Sequence, residues 1–181
     1  MNASLTYELL DDGTYSVTGT EDDNISLLVI PASYEEKPVT RIGRYAFDGC
    51  KALLSVTMPS GIGVIGSGAF WGCTSLTSVT VPDGVTEIGQ RAFEGCTSLT
   101  SFTIPDGVTE ISYDAFRGCV SLASVTVPRS VSTIRDCAFR GCAALKAIRF
   151  SGKTEAANRL FTADRLPKGV SVLCEDGELT V

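Results

Sequence analysis

Seven cysteines and 21 carboxylates carry most of the chemical repertoire of this 181-residue chain, and their spacing limits what they can do. Cys50, Cys73, Cys96, Cys119 and Cys142 succeed one another at a constant interval of 23 residues. Zinc would need thiolates paired in short C-x-x-C loops, and no such pair occurs. A cysteine held at constant register reads as a small apolar thiol filling one buried column. Cys137 and Cys174 stand outside that column and are the candidates for reactive thiols. Cys137 takes a register held elsewhere by Tyr45, Gly68, Arg91 or Asp114, which predicts a place near the surface. The chain has no histidine, so Ser-His-Asp and Cys-His catalysis are both excluded.

The carboxylates Asp83 and Glu87 recur one interval later as Asp106 and Glu110. They would form a patch of like charge, which could hold calcium but reads more simply as a solvated face, since calcium loops draw more oxygens from one tight turn. Gly61-Ile62-Gly63-Val64-Ile65-Gly66 matches the dinucleotide pattern G-x-G-x-x-G. Glycines recur at its registers as Gly84, Gly107 and Gly89, and no long helix follows to receive a pyrophosphate. No cofactor, metal or catalytic residue is therefore assigned. The remaining polar pattern is a pair of hydroxyl rows, Ser55, Ser78, Ser101 and Ser124 beside Thr57, Thr80, Thr103 and Thr126, ending at Ala147 and Arg149. Such rows can bond peptide or sugar groups, although threonine is also a good strand former. Asp48, Trp71, Glu94, Arg117 and Arg140 share a further register that keeps no residue type. The single tryptophan, Trp71, is a candidate anchor for a partner, whereas Arg117 and Arg140 have no recurring acid beside them and read as solvated.

What must position these residues is the repeat itself. Pro59, Pro82, Pro105 and Pro128 keep the same interval, as do Phe47, Phe70, Phe93, Phe116 and Phe139, and Leu53, Leu76, Leu99, Leu122 and Leu145. Within one unit, Val79 and Val81 alternate with Ser78 and Thr80, the period of a strand with one buried face. Val85 and Ile88 follow, and Ala92-Phe93-x-Gly95-Cys96 turns the chain back. One such coil cannot enclose its own apolar side chains, so it is stable only when stacked between others. The expected fold is a single-domain right-handed solenoid, rich in short strands and poor in helix. Residues 25–150 form its five 23-residue-type units, with six strand rungs and an insertion, 32–38, in the first.

Open solenoid ends expose apolar surface and strand edges that can pair between molecules, so caps are expected. Residues 1–24 suggest a hairpin, with Leu5 to Leu10 and Thr14 to Thr18 flanking Asp11-Asp12-Gly13. Residues 151–181 suggest a short helix over 154–161, then a strand, a turn and a strand ending at Val181. A net charge of −6 without clustered bases argues against a nucleic-acid partner. No apolar run is long enough to cross a bilayer, and Met1-Asn2-Ala3-Ser4 has no basic region leading into an apolar one. A monomer is expected.

The unit V-P-D-G-V-T-E-I-G-Q-R-A-F-E-G-C-T-S-L-T-S-F-T at 81–103 resembles the BspA-type leucine-rich repeat, whose frame is I-P-x-x-V-x-x-I-G-x-x-A-F-x-x-C. The resemblance covers about 29–150, and the closing L-x-x-x-V-x-V-x-C-x-D-G-x-L also looks like an ending of that family. It implies a leucine-rich repeat solenoid from a cell-surface or secreted bacterial protein. The function it implies is non-catalytic adhesion to a macromolecule, a host or matrix protein or a glycan. The contacts would lie on Trp71, Ser78, Thr80, Ser101, Thr103, Ser124 and Thr126. The alternative is a structural spacer that displays another domain and binds nothing itself.

Overall fold

Alternating valine and hydroxyl residues give each repeat one strand, and a second, two-residue strand follows its proline turn. The computed structural model describes residues 4–22, 24–162 and 165–180; residues 1–3 of the expected first cap and Val181 of the expected last strand lie outside them. In chain order the strands are β1 (Leu5–Leu9), β2 (Tyr15–Thr20), β3 (Leu27–Val29), β4 (Ser33–Tyr34), β5 (Lys37–Ile42), β6 (Ser55–Thr57), β7 (Val64–Ile65) and β8 (Ser78–Thr80). They continue as β9 (Glu87–Ile88), β10 (Ser101–Thr103), β11 (Glu110–Ile111), β12 (Ser124–Val127), β13 (Thr133–Ile134) and β14 (Ala147–Phe150). The helix α1 (Thr154–Leu160) and strands β15 (Ser171–Cys174) and β16 (Gly177–Thr180) complete the chain. The result is a β-solenoid of about seven turns.

Stacking runs along one axis, so each buried register becomes a column. The phenylalanines Phe47, Phe70, Phe93, Phe116 and Phe139 are all fully buried and stack face to face, with centroids 5.4–5.6 Å apart. Backbone bonds follow the same column: Phe47, Phe70, Phe93 and Phe116 donate N–H to the carbonyls of Ala69, Ala92, Ala115 and Ala138 at 2.8–2.9 Å. The corner between Phe and Cys requires a left-handed residue, and Gly49, Gly72, Gly95, Gly118 and Gly141 supply it at φ 69–80°.

The helix ends within a residue of expectation, and its first turn is capped from a distance. Asp176, in the turn between β15 and β16, accepts from the backbone and hydroxyl of Thr154 at 2.7 and 2.8 Å, and those bonds hold its carboxyl below the usual range. The C-terminal segment does more than close the end. β15 pairs in parallel with β14, Ala147 opposite Ser171, and so adds a seventh rung to the six read from the sequence. At the other end the insertion folds into the hairpin of β4 and β5, turning at Glu35 and Glu36 with φ 47° and 63°. Tyr34 stacks on Tyr7 at 3.9 Å and meets Tyr15 edge-on at 5.0 Å, while the Tyr15 hydroxyl donates to Glu35 at 2.7 Å. This tyrosine cluster clamps the hairpin of β1 and β2 to the first coil. That hairpin extends the order β1-β2-β5-β7-β9 and leaves β3, the outer strand of β3-β6-β8, uncapped.

Both ladders lapse between the same two coils: β8 does not pair with β10, nor β9 with β11, whereas β10-β12-β14 and β11-β13 resume beyond. This coil carries Phe102 where its neighbours carry Val56, Val79 and Val125. The larger ring wedges between Phe93 and Phe116, at 4.9 and 4.7 Å. Ser112 also replaces the glycine of the preceding coils, but Arg135 at that register still bonds Ile111 at 2.8 Å, so bulk there does not by itself break a ladder. Val79 and Val81, expected in the core, are consequently only half-buried. The corner bonds of Phe93 to Ala115 and Gly95 to Arg117 stay intact and hold the halves together.

The buried and exposed registers separate in their cost. Phe93→Ala opens a cavity that both neighbouring coils line and should destabilise by about 3–5 kcal/mol. Thr80→Ala, on an exposed position, should stay within about 0.5 kcal/mol. Urea melts of the two variants compare them directly, and equal losses would reverse the inward and outward assignment.

Candidate functional site

The hydroxyl rows lie where the alternation puts them, on the outward face of the main strands. Ser55 stands opposite Ser78 and Thr57 opposite Thr80; beyond the lapse, Ser101 faces Ser124 and Thr103 faces Thr126. The rows continue through Ala147 and Arg149 to Ser171 and Leu173, and begin at Leu27 and Val29. The face is therefore graded: apolar at its first strand, hydroxyl in the middle, basic at Arg149.

These hydroxyls differ from others in the same coils. Thr77, Thr86, Thr97, Ser130 and Ser132 each donate to a backbone carbonyl of the preceding coil, at 2.8–3.4 Å, and so serve the stack. Among the described residues, the side chains of Ser55, Ser78, Ser101, Ser124, Thr57, Thr80, Thr103 and Thr126 make no hydrogen bond to protein. Their bonding capacity faces outward.

Trp71 lies apart from these rows, on the corner of its coil. It is 39% exposed and packs against Tyr45, at 6.2 Å, whose ring also carries the Arg44 guanidinium at 5.3 Å. Gly68 is required there, because a side chain would collide with the Tyr45 ring. Tyr45, Gly68, Arg91, Asp114 and Cys137 share a left-handed conformation, φ 55–63°, which turns each of them out of the coil. Cys137 is accordingly half-buried, near the surface as expected.

The reading of Arg117 as merely solvated is corrected by its neighbours. Arg91 lies 3.4 Å from Glu94 and 3.7 Å from Asp114; Arg117 lies 3.7 Å from Glu94 and 3.6 Å from Asp114. The four charges alternate in a square across two coils. The acids come from two different registers, so no single column reveals them. Ion pairs of this length on half-exposed arginines add little stability, but they neutralise the corner. The carboxylate patch is likewise interrupted: Glu110 accepts from Arg135 at 2.7 and 2.9 Å, while Asp83, Glu87 and Asp106 are exposed. The glycine-rich stretch 61–66 contains the two-residue strand β7, with Gly66 pressed against the backbone of Gly43 and Arg44. Its glycines serve the approach of one coil to the next.

The cysteine column is a hydrogen-bonded one. Cys73, Cys96, Cys119 and Cys142 are buried, and each thiol donates to the carbonyl of the phenylalanine 26 residues before it, at 3.1–3.2 Å. The column therefore uses its S–H as well as its volume. Burial pushes Cys73 and Cys142 up to about 12 and raises Cys96 and Cys119 strongly. No disulfide joins any of the seven cysteines. A cleft of about 390 Å³ opens beside the last corner, lined by Cys137, Arg140, Cys142, Arg165, Leu166 and Pro167.

These thiols give a test of the column. Because the folded chain holds their protons above the value of 9.0, stability is full below about pH 9 and falls as pH rises through about 12. Urea midpoints from pH 8 to 11 should fall, and fall less steeply in Cys96→Ala. A thiol reagent at pH 8 should leave Cys73, Cys96, Cys119 and Cys142 unmodified until urea is added. Rapid labelling of the native column would contradict its burial.

The sequence model of the family described as BspA type Leucine rich repeat region matches residues 22–163 in 6 copies. The chain is similar to the crystal structure of a leucine rich cell surface protein from Faecalibacterium prausnitzii A2-165, with 37% identity and a TM-score of 0.76, over 90% of this chain and 42% of that one. It is similar to the Leucine Rich Repeat protein of T. pallidum, with 33% identity and a TM-score of 0.77, over 94% of this chain and 83% of that one. A leucine-rich repeat protein from Bacteroides capillosus ATCC 29799 is 28% identical, with a TM-score of 0.53, over 84% of this chain and 97% of that one. No curated protein matches the chain.

Proposed function

The chain belongs to the BspA-type leucine-rich repeat family, and from that membership we propose that it is a non-catalytic adhesion module of a bacterial surface or secreted protein, holding a macromolecular partner along its strand face. Repeats of this kind form protein-interaction modules. The observation that carries the finer reading is the division of labour among hydroxyls. Thr77, Thr86, Thr97, Ser130 and Ser132, off the strand face, bond the neighbouring coil, whereas the rows of Ser78, Ser101 and Ser124 and of Thr80, Thr103 and Thr126 bond no described residue. With strands about 4.8 Å apart, each row offers a donor and acceptor at regular steps to an extended protein segment or a glycan.

Trp71 supports a second contact on the corner, where it and Tyr45 are the large exposed aromatic side chains of neighbouring coils. The likeness to a leucine rich cell surface protein supports a surface location. This chain spans 42% of that protein, so adhesion and its partner are proposed for the module alone. Among the described residues no helix is long and apolar enough to cross a membrane.

The reading is tested by binding to a panel of matrix proteins and glycans, beside a variant with Thr80→Lys, Thr103→Lys and Thr126→Lys. Saturable binding that falls at least tenfold in a variant of unchanged melting temperature is the expected result. Binding that survives the three substitutions would move the contact off the strand face, and no binding across the panel would favour the spacer.

A further inference from the structure

The outermost strand of the main face departs from every rung behind it. Ser55 and Thr57, then Ser78 and Thr80, face outward on β6 and β8, but the same registers on β3 hold Leu27 and Val29, 65% and 61% exposed. Leu54, beside them on the next coil, is 45% exposed.

The backbone of β3 is open as well. Leu54 donates to the Ser26 carbonyl at 2.7 Å and Ile30 donates to Thr57 at 3.0 Å, so residues 26, 28 and 30 turn their backbone groups toward β6. In a strand the alternate residues turn the other way. The N–H and C=O groups of Leu27 and Val29 therefore point off the edge of the sheet, where no described residue bonds them. The capping hairpin cannot reach them, because β2 pairs with β5 in the other ladder. Proteins ordinarily blunt such edges with charge or proline facing outward. Here the outward side chains are apolar, and the chain on either side of β3 carries acids and no base up to Lys37.

Those charges choose the occupant. Residues 1–36 contain eight acids and no base, whereas 37–181 contain 13 acids and 15 bases. Glu21 and Asp22 precede β3 in the same stretch of chain. A second copy meeting this edge through its own β3 would set acid against acid. Meeting it through β16, the free edge at the far end, would do the same, since β16 carries Glu178 just after Glu175 and Asp176. We propose that β3 is a strand-addition site that takes an extended segment of another protein, with apolar side chains at alternate positions and lysine or arginine at its flanks. Backbone bonds to Leu27 and Val29 hold the segment, its apolar side chains cover the two exposed ones, and the acidic end sets which segments are admitted. The site is distinct from the hydroxyl rows and does not depend on their having a ligand.

The probe is a synthetic peptide, Lys-Lys-Val-Thr-Val-Thr-Val-Lys-Lys, titrated by fluorescence anisotropy at low salt, with a glutamate-flanked peptide and one carrying a central proline as controls. The expected result is saturable binding of the lysine-flanked peptide that weakens with salt, with at least tenfold weaker binding of both controls. Amide exchange at Leu27 and Val29 should be fast in the free protein and slow in the complex. Leu27→Ser with Val29→Thr, which gives β3 the outward residues of β6, should keep the melting temperature and lose at least tenfold in affinity. Thr80→Ala, Thr103→Ala and Thr126→Ala together should leave the peptide bound, so the two surfaces can fail separately. Slow exchange at Leu27 and Val29 without peptide, a dimer through β3 in sedimentation, or peptide affinity indifferent to the β3 variant would each overturn the proposal.

Discussion

Everything in this molecule depends on hydrogen bonds that run from coil to coil. A 23-residue coil has no sheet of its own: its proline turn closes on itself, as Val85 does on Pro82, but its strands and the phenylalanine and glycine of its corner bond the coil before or after. That geometry forces the side chains into columns, because residues one period apart are brought to the same place. The phenylalanine column shows the consequence most directly, with rings stacked at 5.4–5.6 Å above corner bonds of 2.8–2.9 Å. The cysteine column beside it adds a thiol bond to the same phenylalanine carbonyls. One corner thus secures backbone, ring and thiol at every turn.

This is why so much of the fold can be read from the chain. A column needs the same residue at each turn, so Phe47 to Phe139, Cys50 to Cys142 and Leu53 to Leu145 announce both the coil and its inward face. What the period conceals is whatever depends on a difference between neighbouring coils. The tyrosine clamp of Tyr7, Tyr15 and Tyr34 joins the two strands of a cap to an insertion, and the three share no register. The square of Arg91, Glu94, Asp114 and Arg117 is invisible to a search for acids recurring in one column, because its acids sit in two. The lapse in both ladders falls at the coil where Phe102 stands in place of valine, and Phe102 is itself buried.

The ends obey a different rule from the middle. A solenoid must stop, and the two stops are unlike. The C-terminal one is continuous with the main sheet: β15 pairs with β14, β16 folds back on it, and Asp176 ties the turn to the start of α1. The N-terminal one is attached to the other ladder, through β2 and β5, and held there by packed tyrosines. A two-stranded cap can complete only one side of a coil that has strands on two sides. The alternation that suggested a hairpin could not say which side it would choose.

Function in such a fold has to be written in residues that packing does not claim, and the structure sorts the candidates. Phe102 departs from its column but is spent in the core between Phe93 and Phe116. Arg91, Glu94, Asp114 and Arg117 vary from coil to coil but face one another at 3.4–3.7 Å. Glu110 is engaged by Arg135, and the hydroxyls of Thr77, Thr97 and Ser132 are given to carbonyls of the coil below. Three groups stay turned outward among the described residues and fit a partner's chemistry: the hydroxyl rows of the strand face, the Trp71 and Tyr45 pair on the corner, and the apolar edge at Leu27 and Val29. The first two stand on the regular body of the solenoid, where they can be extended by adding coils. The third depends on β3 alone, so coils added behind it leave it unchanged.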